Sequence, residues 1–178
     1  MENTVIPRKI GSVSSYIKAI FDLRNTKVSE YSLSSYWFFR GQKNSLWGMC
    51  PNVFRNDALK YEFDAIETAI RQRPYDFREC ASDFEILTKL QHYGLGTRLL
   101  DVTLNPLVAL YFACESQHSY YGEIIIFSQS LDSIKYFQSD TVAMLASLPL
   151  FTKDEQMQFY HSSFVKSSNM NDFNDKVE

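Results

Sequence analysis

Residues 91–113 read QHYGLGTRLLDVTLNPLVALYFA, a dense polar stretch followed directly by an apolar one. Within it, Asn105 and Pro106 form a typical helix start, because the Asn side chain can cap free amides and proline suits the first turn. The next residues are apolar almost all round, so we expect this helix to be the buried centre of the domain. On the polar side, Gly94 and Gly96 predict a tight turn.

Helical spacing and capping signals predict further helices on both sides of this stretch. They cover residues 13–24, 58–72, 141–147 and 153–165, and a capping box at residues 82–85 starts one more that stops before Gly94. Two strands are predicted, an aromatic one over residues 36–39 and a β-branched one over residues 123–127. We expect the second to be a fully buried central strand. These elements indicate an α+β fold with a central mixed or antiparallel sheet and packed helices.

Composition limits the class of protein. With 178 residues, 45 % of them hydrophobic, we expect a single domain over residues 1–178, with disorder in the polar residues 167–178. The net charge of −3 does not fit a dedicated nucleic-acid binder. Since no apolar run is long enough for a signal peptide or a membrane span, a cytoplasmic protein without a membrane partner is expected. Three Cys and three His without zinc-type spacing predict no metal.

The polar side chains of residues 91–103 need hydrogen-bond partners, because a buried unpaired group costs about 1–3 kcal/mol. They must therefore satisfy one another, a ligand, or both. Arg98 and Asp101 are three positions apart and are the obvious pair, either as a buried clasp that fixes the loop or within a ligand site. His92 is a candidate general base, or alternatively a hydrogen-bonded structural residue.

A second candidate position is Arg40, at the end of the aromatic strand. Its guanidinium could present a planar fork to a phosphate or carboxylate, and Gly41 would let a ligand approach the backbone. The alternative is a structural Arg40 that stacks on Trp37 or pairs with an acid. No Ser–His–Asp order, P-loop or GxGxxG motif is present, which excludes the common hydrolase, nucleoside-triphosphatase and dinucleotide-fold classes.

Two blocks of the sequence resemble the FRG domain family. Phe39-Arg40-Gly41 is similar to its Phe/Tyr-Arg-Gly motif, and residues 91–113 resemble its second hallmark, roughly QHYGxPTRLLDWTxxPxxALYFA. Gly96 stands where the family usually has Pro, and Val102 where it usually has Trp. The resemblance covers about residues 13–165. The family's later Arg…Gln-x-Gly-x-Phe pattern does not follow, so we expect a domain without that C-terminal strand.

In order and spacing the chain is also similar to ADP-ribosyltransferases of the Arg-Ser-Glu type. Their first strand carries an aromatic-Arg-Gly run whose Arg holds an NAD phosphate. Asp101-Val102-Thr103 falls where their Ser-Thr-Ser strand lies, six residues before Ala109 of a similar helix. Their catalytic Glu has no clear counterpart, because Glu155 lies in a predicted helix cap and Glu178 is the last residue.

The resemblance implies an ADP-ribosyltransferase-like fold with an NAD pocket. Arg40 would hold the pyrophosphate, His92 and Tyr93 would line the nicotinamide side, Asp101 and Thr103 would orient the ribose or support Arg40, and Arg98 would fix Asp101. The implied catalytic residues are Arg40, His92, Asp101 and Thr103. The implied cofactor-binding residues are Arg40, Gly41, Gln42, Gln91, His92, Tyr93 and Arg98.

The functional expectation is an ADP-ribosyltransferase or NAD glycohydrolase with NAD as substrate and little or no turnover, acting as a toxin or phage-defence module. Its further partners would be a protein or nucleic-acid acceptor and an antitoxin. The alternative is a non-catalytic protein-interaction or sensor domain, in which Arg40 is part of the architecture. A nuclease using His92 and Asp101 is a third hypothesis, disfavoured by the lack of a basic patch and of clustered carboxylates.

Overall fold

A computed structural model describes residues 10–27, 35–115 and 120–167 of the chain. In order along the chain, the helices and strands are α1 Val13–Lys27, β1 Ser35–Gln42, α2 Glu62–Gln72, α3 Pro74–Phe77, α4 Asp83–His92, α5 Pro106–Cys114, β2 Glu123–Ser130, α6 Asp140–Ser147 and α7 Lys153–Ser167. Short 3-10 helices lie at 52–54, 58–61, 131–133 and 148–150. The α+β class is confirmed, whereas an ADP-ribosyltransferase-like fold stays a prediction.

The sheet consists of β1 and β2, which pair antiparallel from Ser35 opposite Ser130 to Gln42 opposite Glu123. On the other edge of β1, Phe39 forms an isolated bridge with Thr103. The prediction of a fully buried central β2 is wrong, because in the described part of the chain β2 is one of two strands and most of its residues are half-buried. A run of β-branched residues indicates a strand but does not report how many faces are covered.

Helix α5 packs against this sheet through its small residues. Ala109 and Ala113 are buried, and a Cβ on Gly41 would lie 1.8 Å from the carbonyl oxygen of Ala109. A Cβ on Gly122 would likewise lie 2.1 Å from the carbonyl oxygen of Ala113. Four further apolar residues of this helix are exposed, namely Leu107, Val108, Tyr111 and Phe112. The prediction that α5 is the buried centre is therefore wrong, since among the described residues its fully buried positions are the small ones, Ala109 and Ala113.

The main hydrophobic core lies where α2, α3, α4 and α6 meet. Its buried members are Ile66, Phe77, Leu87, Leu90 and Ala146. The capping box that starts α4 is confirmed: the Ser82 hydroxyl accepts from the Glu85 amide at 3.3 Å. The Glu85 carboxylate accepts from the amide of Ala81 at 2.9 Å, one residue earlier than in the standard box.

The other predicted helices are also present, with shifted ends. Helix α1 continues to residue 27, the 58–72 helix divides into a 3-10 turn and α2, and α6 and α7 begin within one residue of their predicted starts. The predicted disorder over 167–178 falls, from residue 168 onward, outside the described residues. Among the described residues, no helix is long and apolar enough to cross a membrane.

Candidate functional site

Arg40 lies on the face of β1 that is turned away from α5. Side chains alternate along a strand, so the contact between Gly41 and α5 places Arg40 and Gln42 on the opposite face. Nη1 of Arg40 donates to the carbonyl oxygen of Asp101 at 2.7 Å. Within the described chain its Nε is buried without a hydrogen-bond partner, and no partner is found for Nη2. The guanidinium is thus held at one nitrogen and keeps unused donors.

The environment of Arg40 favours an additional negative charge. Its pKa is lowered, chiefly because burial penalises the charged form, while the charge of Asp101 acts in the opposite sense and that of Arg55 lowers the pKa further. Arginine nevertheless stays protonated in proteins. A partly desolvated cation of this kind is stabilised when a phosphate or carboxylate binds beside it.

A chain of hydrogen bonds fixes the loop that follows α4. Gln91 donates from Nε2 to Oδ1 of Asp101 at 2.7 Å, and its Oε1 accepts from the Thr97 hydroxyl. Thr97 is buried, and its Oγ1 also accepts from the amide of Leu99 at 3.2 Å. These polar groups of the hallmark block therefore satisfy one another and position Asp101 beneath Arg40.

The predicted ion pair between Arg98 and Asp101 is wrong, because Arg98 pairs with a different acid. Arg98 instead forms an ion pair with Glu62 of α2, with Nε at 3.0 and 2.9 Å from the two carboxylate oxygens and Nη2 at 2.6 Å from Oε2. Nη2 also donates to Oε1 of Gln156 on α7 at 3.0 Å. Burial alone would lower the pKa of Arg98, but hydrogen bonds and charge from Glu62 and Tyr160 raise it. Arg98 therefore joins two helices and does not fix Asp101.

Gly41 and Gln42 contact the protein itself. The close approach that Gly41 permits is made by the backbone of α5. Contact of Gly41 with a ligand stays a prediction. Gln42 is 3 % exposed, and its Nε2 donates to the Trp47 carbonyl at 2.6 Å and to Oε2 of Glu123 at 2.8 Å. Its Oε1 is buried, and the described residues provide no partner for it. Sequence analysis missed Glu123 as a carboxylate on the Arg40 side, because only the strand register reveals it.

His92 and Tyr93 lie at the exposed end of α4. His92 is the last helical residue, Tyr93 is the C-cap, and their ring centroids are 6.1 Å apart. Consecutive helical residues do not face each other, so His92 does not share the direction of Gln91. The structure leaves both rings at the surface, and their proposed contacts with nicotinamide stay predictions.

Thr103 supports β1 through its backbone. Its amide and carbonyl exchange two hydrogen bonds of 2.8 Å with Phe39, and its hydroxyl accepts from the amide of Asn105 at 3.0 Å. Of the predicted site residues, the structure thus brings together Arg40, Gln91 and Asp101, with Thr103 two positions further on. Within the described ranges, no group of three His, Cys, Asp or Glu side chains could hold a metal ion.

Both motif blocks, Phe39-Arg40-Gly41 and residues 91–113, lie in the part of the chain that matches a known protein family. The family model described as FRG domain matches residues 35–121, a narrower range than the expected residues 13–165. No curated protein and no solved structure was found to match the chain. The matched stretch runs from the start of β1 past the end of α5 and contains both blocks that meet at Arg40. The chain therefore carries an FRG domain, matched over residues 35–121.

Proposed function

We propose that this FRG domain binds NAD through Arg40, as an ADP-ribosyltransferase-like module. The observation that carries the proposal is the unused hydrogen-bonding capacity of the Arg40 guanidinium, of which only Nη1 is bonded to the described chain. Charge-assisted hydrogen bonds from Arg to phosphate are strong and are frequently bidentate. The pyrophosphate of NAD offers acceptors of this kind.

The surrounding residues support this role by fixing the guanidinium. The carbonyl of Asp101 holds Nη1, and Gln91 holds the Asp101 carboxylate. A binding group kept in place by its own neighbours loses less conformational freedom when the ligand arrives. In this proposal the hallmark block of residues 91–101 acts mainly to orient Arg40.

The proposal concerns the binding of NAD and does not require the chain to cleave it. Cleavage of the nicotinamide–ribose bond would need a carboxylate beside the developing positive charge. In the ADP-ribosyltransferases that this chain resembles, this carboxylate is a Glu on a later strand, and the described part of the chain has no strand after β2 to carry one. We therefore expect NAD binding with slow or absent ADP-ribosyl transfer or NAD hydrolysis.

Calorimetric titration of NAD tests the proposal directly. We expect micromolar binding to the wild-type chain and to Arg71→Ala, and loss of binding in Arg40→Ala. Arg71 is the matched control because it is an exposed arginine of α2 that pairs with Glu67. Circular dichroism establishes that all three proteins are folded. Absence of binding to the wild type, or binding retained in folded Arg40→Ala, would contradict the proposal.

A non-catalytic protein-interaction or sensor role is the second candidate, and the exposed apolar side of α5 favours it. Leu107 and Phe112 are about half exposed, and Tyr111 more so. Exposed apolar patches commonly mark interaction surfaces. In this role Arg40 only stabilises the fold. Arg40→Ala would then lower the thermal stability, and the wild-type chain would not bind NAD.

A further inference from the structure

The face of the sheet opposite α5 carries four cross-strand pairs, and we call the three nearest to Arg40 the Arg40 face. In register order they are Phe38–Phe127, Arg40–Ile125 and Gln42–Glu123. A Cβ on Gly41 would point towards α5, and side chains alternate along a strand, so these six side chains lie on the other side of the sheet. The Arg40 face thus has a polar end, a central cation and an aromatic end.

The aromatic end is ordered by ring stacking. The rings of Phe38 and Phe127 are stacked, with centroids 5.5 Å apart and planes 21° from parallel. Both rings are half-buried, and Tyr36, further along the same side of β1, is 49 % exposed. Arg40 lies two positions from Phe38, a separation of about 7 Å between their Cα atoms at the usual strand rise.

We infer that the Arg40 face binds a nucleotide, with its phosphate on Arg40 and its planar base on the stacked rings of Phe38 and Phe127. The inference rests on the proposed function and deepens it, because it assigns the base to two residues outside the implied site. A simple phosphate would use the cation alone, and an apolar peptide would use the rings alone. A nucleotide uses both, since bases stack on aromatic side chains while the phosphate pairs with arginine.

The choice of a small nucleotide over a nucleic acid follows from charge. Binding along a nucleic-acid backbone requires several cations, whereas the Arg40 face carries one, and the chain has a net charge of −3. The opposite end of the face is closed to the base, because Gln42 is buried and bonded to Trp47 and Glu123.

The test compares AMP with ribose 5-phosphate, which has the phosphate and the sugar but lacks the base. Calorimetry should show that AMP binds the wild-type chain about tenfold more tightly than ribose 5-phosphate, a base-stacking contribution of ordinary size. In Phe127→Leu this advantage should shrink to about twofold or less, with ribose 5-phosphate affinity unchanged. Phe137→Leu, at a 51 % exposed Phe between β2 and α6, is the matched control and should keep the advantage.

The outcomes separate this inference from the proposed function. If both ligands bind, both are lost in Arg40→Ala, and Phe127→Leu keeps the preference for AMP, the Arg40 site stands and the base does not lie on the stacked rings. If neither ligand nor NAD binds the wild type, the proposed function and the inference fail together. Should Phe127→Leu not fold, Phe38→Leu is used instead, and photolabelling with 8-azido-AMP must mark β1 or β2 peptides; labelling elsewhere overturns the inference.

Discussion

The ion pair between Glu62 and Arg98 makes the most direct prediction about stability. The side chain of Glu62 is 1 % exposed and that of Arg98 is 17 % exposed, and three N–O distances of 2.6 to 3.0 Å join them. Glu62→Gln keeps the shape of the side chain but removes its charge, which leaves a largely buried guanidinium without a counter-ion. Breaking one side of a buried pair costs about 3–5 kcal/mol.

The matched control is Glu67→Gln on the same helix. Glu67 pairs with Arg71 at 2.6 Å, but both side chains are exposed, so the loss should stay within about 1 kcal/mol. For a chain of this size, a loss of about 3–5 kcal/mol corresponds to a fall in Tm of about 6–20 °C. Urea unfolding followed by circular dichroism gives the free energy of unfolding of both variants.

Equal losses in Glu62→Gln and Glu67→Gln would refute the structural assignment of Arg98. The same experiment with Asp101→Asn examines the partner that sequence spacing suggests. Since Asp101 is exposed and bonded to Gln91, its neutralisation should cost much less than that of Glu62. A larger loss in Asp101→Asn than in Glu62→Gln would mean that Arg98 pairs with Asp101 in solution.

Three further predictions concern the sheet, α1 and the site. In Gly41→Ala the new Cβ would lie 1.8 Å from a backbone oxygen of α5 and would have to move by about 1.2 Å to reach 3.0 Å. We therefore expect the free energy of unfolding, measured with urea, to fall by about 1–3 kcal/mol or more. The control Gly48→Ala, whose Cβ would have nothing within 4 Å, should change it little. The Tyr16 hydroxyl donates to the first carbonyl of α5 at 2.9 Å, so Tyr16→Phe should cost about 1 kcal/mol at neutral pH. Burial raises the pKa of Tyr16 from 10.0 to about 12, so the contribution of the neutral side chain to stability is complete below pH 10 and is lost as the pH rises to 12. If the stabilities of wild type and Tyr16→Phe ran parallel over this pH range, the prediction would be contradicted. Asp101→Ala keeps the carbonyl that holds Arg40 and should weaken NAD binding less than Arg40→Ala, and calorimetry giving the reverse order would assign the carboxylate a direct role.

Sequence reasoning succeeded where the determining contacts are local. The helix starts at Ser82, Asn105 and Thr152 are confirmed, because each side chain accepts from an amide two or three residues ahead. Proline at the start of α5 adds a fixed φ to the same signal. Such signals are complete within one turn of chain, so no knowledge of the tertiary fold is needed to recognise them.

The parts that sequence reasoning missed depend on distant partners. Arg98 finds its acid 36 positions earlier, at Glu62, and Gln42 finds Glu123 81 positions later. Spacing along the chain favoured Asp101 for Arg98, but the loop after α4 directs the guanidinium towards α2 and α7. The exposed side of α5 was missed for a related reason, since an apolar sequence does not show which of its faces another element covers.

The ion pair of Arg98 also indicates whether residues 35–121, which match the family model, could be transferred to another protein by themselves. Glu62 and Arg98 both lie within residues 35–121, but Gln156, which completes the set of acceptors, lies on α7 beyond them. The hydrophobic core has the same organisation, because Ala146 of α6 closes a cluster whose other buried members precede residue 121. A chimera that receives the matched stretch alone would inherit the motif without the two helices that supply Ala146 to the core and Gln156 to Arg98. A graft that extends through α7 would carry both the motif and these helices.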